Sequence, residues 1–144
     1  MKIISELTKT IFYKIVKGEM PCYKIYEDDD FLVFLDIFPA APGHCLIVPK
    51  APARGIFDVE DKTAAGLYLL ARRVAKAVKE ATGCDGINIL QNNEAAAGQT
   101  VFYLHMHVIP RFDADDIALN KTQNPGQTDE EFEEMAKKIR STLF

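Results

Sequence analysis

Gly98–Arg111, read GQTVFYLHMHVIPR, is the stretch on which the fold assignment turns. Its odd positions Val101, Tyr103, His105, His107 and Ile109 differ in character from its even positions Phe102, Leu104, Met106 and Val108. Successive side chains of a β-strand point to opposite faces. The even set therefore predicts an apolar core face, and the odd set places two imidazoles side by side, two residues apart. The chain has only three histidines, so two of them projecting from one strand mark a candidate site. Just upstream, Asn92, Asn93, Gly98, Gln99 and Thr100 make a polar loop of small residues. Such a loop can offer backbone N–H groups and hydroxyls to an anion.

Outward from this strand, periodicity assigns the other elements. Residues 5–17 carry Leu7, Ile11, Phe12, Ile15 and Val16 at steps of three and four, which predicts one short amphipathic helix ended by Gly18 and Pro21. Tyr23–Glu27 and Phe31–Asp36 read as a hairpin around the solvated turn Asp28-Asp29-Asp30. The loop IFPAAPGH follows, then a third strand, His44–Val48, closed by Pro49. Asp61–Thr82 is helical, with an apolar stripe from Leu67 to Ala81 and Gly83 as its stop. Ile87–Leu90 is a fourth strand. Residues 113–127 are polar with weak structure signals. Thr128 and Glu131 form a capping box opening a helix to about Thr142, with Phe132, Met135, Ala136 and Ile139 expected inward. The resulting class is α+β: an antiparallel sheet of about five strands with a long helix and terminal helices, covered by helices on one side.

At 144 residues and 48% apolar, the chain suits one domain, 1–144, with the helix at about 128–142 as an appended element. A formal net charge of −4 gives no bulk attraction to a nucleic-acid backbone, though a small nucleotide remains compatible. Cys22, Cys45 and Cys84 are odd in number and far apart, which predicts no disulfide framework and a reduced, cytoplasmic setting. The opening MKIISELTK has no apolar signal core, and no apolar run is long enough to span a bilayer.

Three chemistries fit His105 and His107. They could be structural, hydrogen-bonded and inert. They could ligate zinc as a His-x-His pair with His44 as a third nitrogen, although no carboxylate or thiolate lies in the same stretch. Or they could act on phosphorus, since a neutral imidazole is a good nucleophile near pH 7 and its pKa also suits it to acid catalysis.

The segments FLDIFPAAPGHCLIVPK and GQTVFYLHMHVIPR resemble the histidine triad (HIT) superfamily of nucleotidyl hydrolases and transferases, and the likeness runs from about Leu7 to Arg111. The family motif is His-φ-His-φ-His-φ-φ, where φ is apolar. This chain reads Tyr103-Leu104-His105-Met106-His107-Val108-Ile109, with tyrosine at the first histidine. The resemblance implies a HIT-like fold and cleavage at the α-phosphate of purine nucleoside phosphoramidates or dinucleoside polyphosphates. It implies His105 as the nucleophile that carries the nucleotidyl group, His107 as a contact to phosphate and the leaving side, and His44 as their partner. Asn92, Gly98, Gln99 and Thr100 would hold phosphate oxygens, Asp36 the ribose, and Ile11, Phe12, Ile15, Phe34 and Ile37 the base. Each also has a plainer reading: helix core for Ile11, Phe12 and Ile15, a turn cap for Asp36, turn residues for Asn92 and Asn93, a backbone angle for Gly98.

Many bacterial-type members of that superfamily carry a structural zinc. The positions matching its ligands are Thr10, Tyr13, Pro52 and Tyr103, none of them a zinc ligand, so the expectation is no metal and no cofactor, with Tyr13 and Tyr103 filling the gap and their hydroxyls meeting. The implied partners are an AMP-like purine nucleotide and a second copy of the chain as a homodimer, with neither nucleic acid nor membrane. The rival class is a non-catalytic nucleotide-binding or scaffold protein of the same fold.

Overall fold

The computed structural model describes residues 2–118 and 126–142, with side chains from Ser5 onward. In chain order the elements are helices α1 (Lys2–Leu7) and α2 (Ile11–Val16), strands β1 (Lys24–Glu27), β2 (Phe31–Leu35) and β3 (Cys45–Pro49), helix α3 (Asp61–Thr82), strands β4 (Gly86–Leu90) and β5 (Met106–Arg111), and helix α4 (Asp129–Thr142). The strands form one sheet in the order β1-β2-β3-β5-β4, and every neighbouring pair is antiparallel. This is the α+β architecture that the sequence predicts. No helix among the described residues is long and apolar enough to cross a membrane.

Helices cover both faces of the sheet, not one. Phe31, Val33, Cys45, Ile47, Leu104, Met106 and Val108 point to one face and pack on Leu67, Leu70, Ala71, Val74 and Val78 of α3. Leu32, Phe34, Leu46 and Val48 point to the other, where Leu7, Phe12 and Tyr103 cover them. The cause is visible in β2 and β3. FLVF and CLIVP are buried at every position, as a strand covered on both sides must be. Each fully buried side chain of this size contributes about 1.5–3 kcal/mol from removal of apolar surface from water. The parity reading of 101–109 holds in part: Leu104, Met106 and Val108 share one face and Val101 and Tyr103 the other, but the ladder begins only at Met106, and Phe102 lies outside both core clusters, against the Arg54 guanidinium.

Two other expectations are corrected. The amphipathic run 5–17 is two helices, not one. Thr10, in extended conformation, breaks it: its Oγ1 donates to Leu7 O (2.8 Å) and accepts from Tyr13 N–H (3.2 Å), capping α2. Gly83 ends α3 in the left-handed region (φ 69°), as expected. The capping box of α4 also forms, with Glu131 N–H donating to Thr128 Oγ1 (3.2 Å) and Thr128 N–H to Glu131 Oε2 (2.9 Å). Its apolar face does not turn inward, however: Phe132, Met135 and Ile139 are exposed. Both faces of the sheet are already occupied, and periodicity shows that a helix has an apolar face but not what lies against it. Part of the polar stretch 113–127, residues 119–125, lies outside the described residues.

Candidate functional site

The register of the sheet assembles the histidines. Leu46 on β3 pairs with His107 on β5, and His44 lies two residues before Leu46, on the same face. Its Nε2 is 2.8 Å from His107 Nδ1, across a sequence separation of 63. At the end of β2, Asp36 N–H donates to His44 O (3.0 Å), which brings the Asp36 carboxylate to 3.5 Å from His44 Nε2. His105 precedes β5 directly, with its ring centroid 5.0 Å from that of His107 and 4.9 Å from that of Phe12 on α2, both edge-on.

Hydrogen bonding fixes the tautomers. His105 Nδ1 is 2.7 Å from the backbone oxygen of Tyr103. A carbonyl only accepts, so Nδ1 carries the proton and Nε2 keeps its lone pair. Nε2 has no partner among the described residues, yet no buried side-chain nitrogen among them lacks one, so this atom faces open space. His44 Nδ1 accepts the Ala40 N–H (3.0 Å), so its Nε2 carries the proton and donates to His107 Nδ1. His107 in turn presents an Nε2–H. All three rings are neutral at pH 7. Burial pushes His44 and His105 below the ordinary imidazole range, and burial together with the neighbouring His105 and His44 takes His107 down to about 4.

His105 and His107 line a cavity of about 640 Å³. Ile11, Phe12, Ile15, Phe34, Asp36, Ile37 and Thr100 also line it, so nine of the residues named from the sequence meet around one space. His44 stands behind His107. Asn92, Gly98 and Gln99 shape the loop and do not line the cavity. Gln99 is buried, its Nε2 donating to Arg54 O (2.8 Å) and Val101 O (3.1 Å) and its Oε1 accepting from Glu94 N–H (2.7 Å). Gly98 has φ 88°, which favours glycine. Asn92 Nδ2 is 3.5 Å from Gly98 O. The wall also includes Met20, Pro21, Cys22, Tyr23, Leu46 and Val101, which the sequence reading did not name as site residues. Leu46 and Val101 share the parity of the histidines and were recoverable on that ground. The turn from α2 into β1 carried no such signal. A second groove of about 420 Å³ lies between α3 and β1–β3, but its lining is mostly apolar, with Tyr26, Arg73 and Thr82 as its polar side chains, and contains no histidine or carboxylate among the described residues.

A match to the HIT domain family covers residues 17–114, more than half of the chain. The chain belongs to the HIT domain family. It is 42% identical over 105 residues to adenylylsulfatase HINT3 of Arabidopsis thaliana, a match covering 73% of this chain and 53% of that protein, so the chain spans about half the length of that relative. It is 42% identical over 101 residues to adenosine 5'-monophosphoramidase hnt1 of Schizosaccharomyces pombe, covering 70% and 73% of the two chains. The crystal structure of a HIT family protein from Bacillus subtilis superposes with a TM-score of 0.86 at 34% identity, over 94% of this chain and 98% of that one.

In this HIT-family protein two of the four positions implicated in zinc binding, Thr10 and Tyr103, have other duties. Thr10 caps α2, and Pro52 has no donor atom. Tyr103 is wholly buried and its hydroxyl donates to Pro49 O; no hydrogen bond among the described residues joins it to the Tyr13 hydroxyl, in contrast to the sequence expectation. The geometry does bring the potential ligand atoms of Asp36, His44 and His107 within 4.8 Å of one another. The chemistry of that set opposes a resident cation. Ligation through His44 Nε2 would move its proton to Nδ1, where the Ala40 N–H already points.

Proposed function

We propose that this HIT-family protein is a nucleotidyl hydrolase acting on purine nucleoside phosphoramidates or dinucleoside polyphosphates, with His105 as the covalent nucleophile. The observation that carries the reading is the fixed tautomer of His105. Its Nδ1–H is committed to Tyr103 O, which leaves an unprotonated Nε2 beside a cavity of nucleotide size. The activities in the names of the plant and fission-yeast relatives, adenylylsulfatase and adenosine monophosphoramidase, support the same reaction class.

The base lies among Ile11, Phe12, Ile15, Phe34 and Ile37, and the ribose hydroxyls bond to Asp36. Nε2 of His105 attacks the α-phosphorus; the new N–P bond forms as the bond from phosphorus to the leaving amine or phosphate breaks. His107 Nε2–H and donors from the 92–100 loop, with Thr100 nearest, stabilise charge on the non-bridging oxygens. Water then attacks phosphorus and restores His105. For an amide substrate one water is consumed: its oxygen stays on the nucleoside monophosphate and its two protons end on the amine. The proposal also carries a cytoplasmic homodimer of single-domain subunits, to be checked by sedimentation and cell fractionation.

His105→Asn removes the nucleophile and is expected to abolish hydrolysis of an adenosine phosphoramidate while AMP binding persists. Intact-mass analysis of wild type caught mid-turnover should show one added adenylyl group. Undiminished turnover in the variant rejects the scheme. AMP binding by wild type with no turnover of any amide or bridged dinucleotide would favour a binding or scaffold role.

A further inference from the structure

We propose that Arg54 and Glu94 form a clamp that holds the 92–100 loop in its anion-binding shape, setting nucleotide affinity although neither residue lines the cavity. The inference rests on the reading of that loop as the phosphate holder. It starts from one backbone conformation. Glu94 has φ 73° and ψ 160°, a region that glycine enters freely and that strains any residue bearing a Cβ. A strained residue persists only where its surroundings impose the conformation, and at Glu94 the restraints are on the page. Its carboxylate accepts two parallel bonds from Arg54, Nε to Oε1 at 3.0 Å and Nη2 to Oε2 at 2.9 Å. Its N–H donates to the buried Gln99 side chain (2.7 Å), and its carbonyl accepts from Ala97 N (3.0 Å) and Gln99 N (3.1 Å).

Arg54 is itself fixed. Its N–H donates to Asp58 Oδ2 (2.9 Å), its carbonyl accepts from Gln99 Nε2 (2.8 Å), and its guanidinium sits 4.3 Å over the Phe102 ring. Backbone and side chain of one residue thus grip the loop at Gln99 and at Glu94, from a segment 40 residues away in sequence. A partly exposed ion pair ordinarily contributes little. Here the planar fork supplies direction as well as charge, and the residue it holds would otherwise relax to negative φ. Relaxation would displace the head of the loop whose far end, Thr100, faces the site. Both are positioning residues: they act through the loop backbone.

A loop that is only fractionally in the competent shape lowers apparent affinity by that fraction, while saturating ligand restores the shape. Arg54→Ala should therefore raise the AMP Kd, and the KM for an adenosine phosphoramidate, by about tenfold, with kcat changed less than twofold. Glu94→Gln, which keeps size but replaces the charge and one of the two acceptor oxygens with an NH2 donor, should move the same way. Arg54→Lys, without the fork, should recover only part. The deciding arm is Glu94→Gly, which needs no clamp: in that background Arg54→Ala should change Kd and KM by less than twofold. Amide exchange of residues 94–99 without nucleotide should quicken in Arg54→Ala and not respond to the same change in the Glu94→Gly background. Wild-type Kd and exchange in both Arg54→Ala and Glu94→Gln overturn the clamp, as does an equal cost of Arg54→Ala in both backgrounds. If the wild type neither binds AMP nor turns over any phosphoramidate, the nucleotide reading falls. The exchange comparison then still decides the clamp.

Discussion

Lowering the pH from 7 to 5 should destabilise this protein through its histidines, and His107→Asn should remove a definable part of that loss. A histidine in the unfolded chain titrates near 6.5, whereas folded His107 is held at about 4 by burial and by the adjacent rings. Its folded pKa is depressed, so its contribution is fully present above 6.5. It declines as pH falls towards 4, because over that interval the unfolded chain binds a proton and the folded one does not. Between pH 7 and 5 the loss from this ring alone has a ceiling of about 2 kcal/mol. The ring lines an open cavity, so solvent screening brings this nearer about 1 kcal/mol. Asparagine keeps an acceptor for the His44 N–H but cannot titrate. Glu27, Asp28, Glu94 and Asp115 are all held below their ordinary values and lose their contributions only at lower pH. Urea unfolding at pH 7 and pH 5 measures both proteins. The pH-dependent loss in His107→Asn should be smaller than in wild type by about 1 kcal/mol. A wild-type stability flat across this interval, or an identical loss in the variant, refutes the reasoning.

Two further outcomes are expected. Gly98→Ala forces a Cβ into the left-handed region; the nearest side-chain atom, Asn92 Nδ2, would be 3.6 Å away, so the cost is backbone strain of about 1–2 kcal/mol without a clash, seen in urea unfolding together with a higher KM. Tyr103→Phe leaves the buried Pro49 carbonyl without its donor and should cost about 1–3 kcal/mol, while kcat for a phosphoramidate stays near wild type because the Tyr103 backbone oxygen still orients His105.

What the sequence disclosed was mostly local. The bounds of α3, the stop at Gly83 and the Thr128–Glu131 box are set by residues within a few positions of one another, and all three appear as read. The parity of 101–109 survived from Tyr103 to Val108, because alternation depends only on neighbouring backbone, whereas Phe102, ahead of the ladder, left the predicted core face. Long-range partners were less legible. The meeting of His44 with His107 depends on the register between β3 and β5, and the second covered face depends on where α1 and α2 land. The break at Thr10 had a sequence signal, a threonine ahead of an apolar run, but the continuous three-four spacing outweighed it. For α4 the spacing was correct and the burial inferred from it was not. Glu94 carries no sign in its side chain of the backbone angle it adopts.

Because the ring of His105 takes its orientation and protonation from a main-chain oxygen two residues earlier, its free Nε2, the proposed nucleophile, is insulated from side-chain drift. Under the proposed function, the base slot, the ribose contact or the loop can be redrawn to suit new substrates without retuning that nitrogen. Losing that atom's readiness takes replacement of His105 itself or a shift of the chain beneath it. A designer altering specificity therefore has freedom on the apolar walls of this cavity and must leave the path of the backbone from Tyr103 to His105 alone.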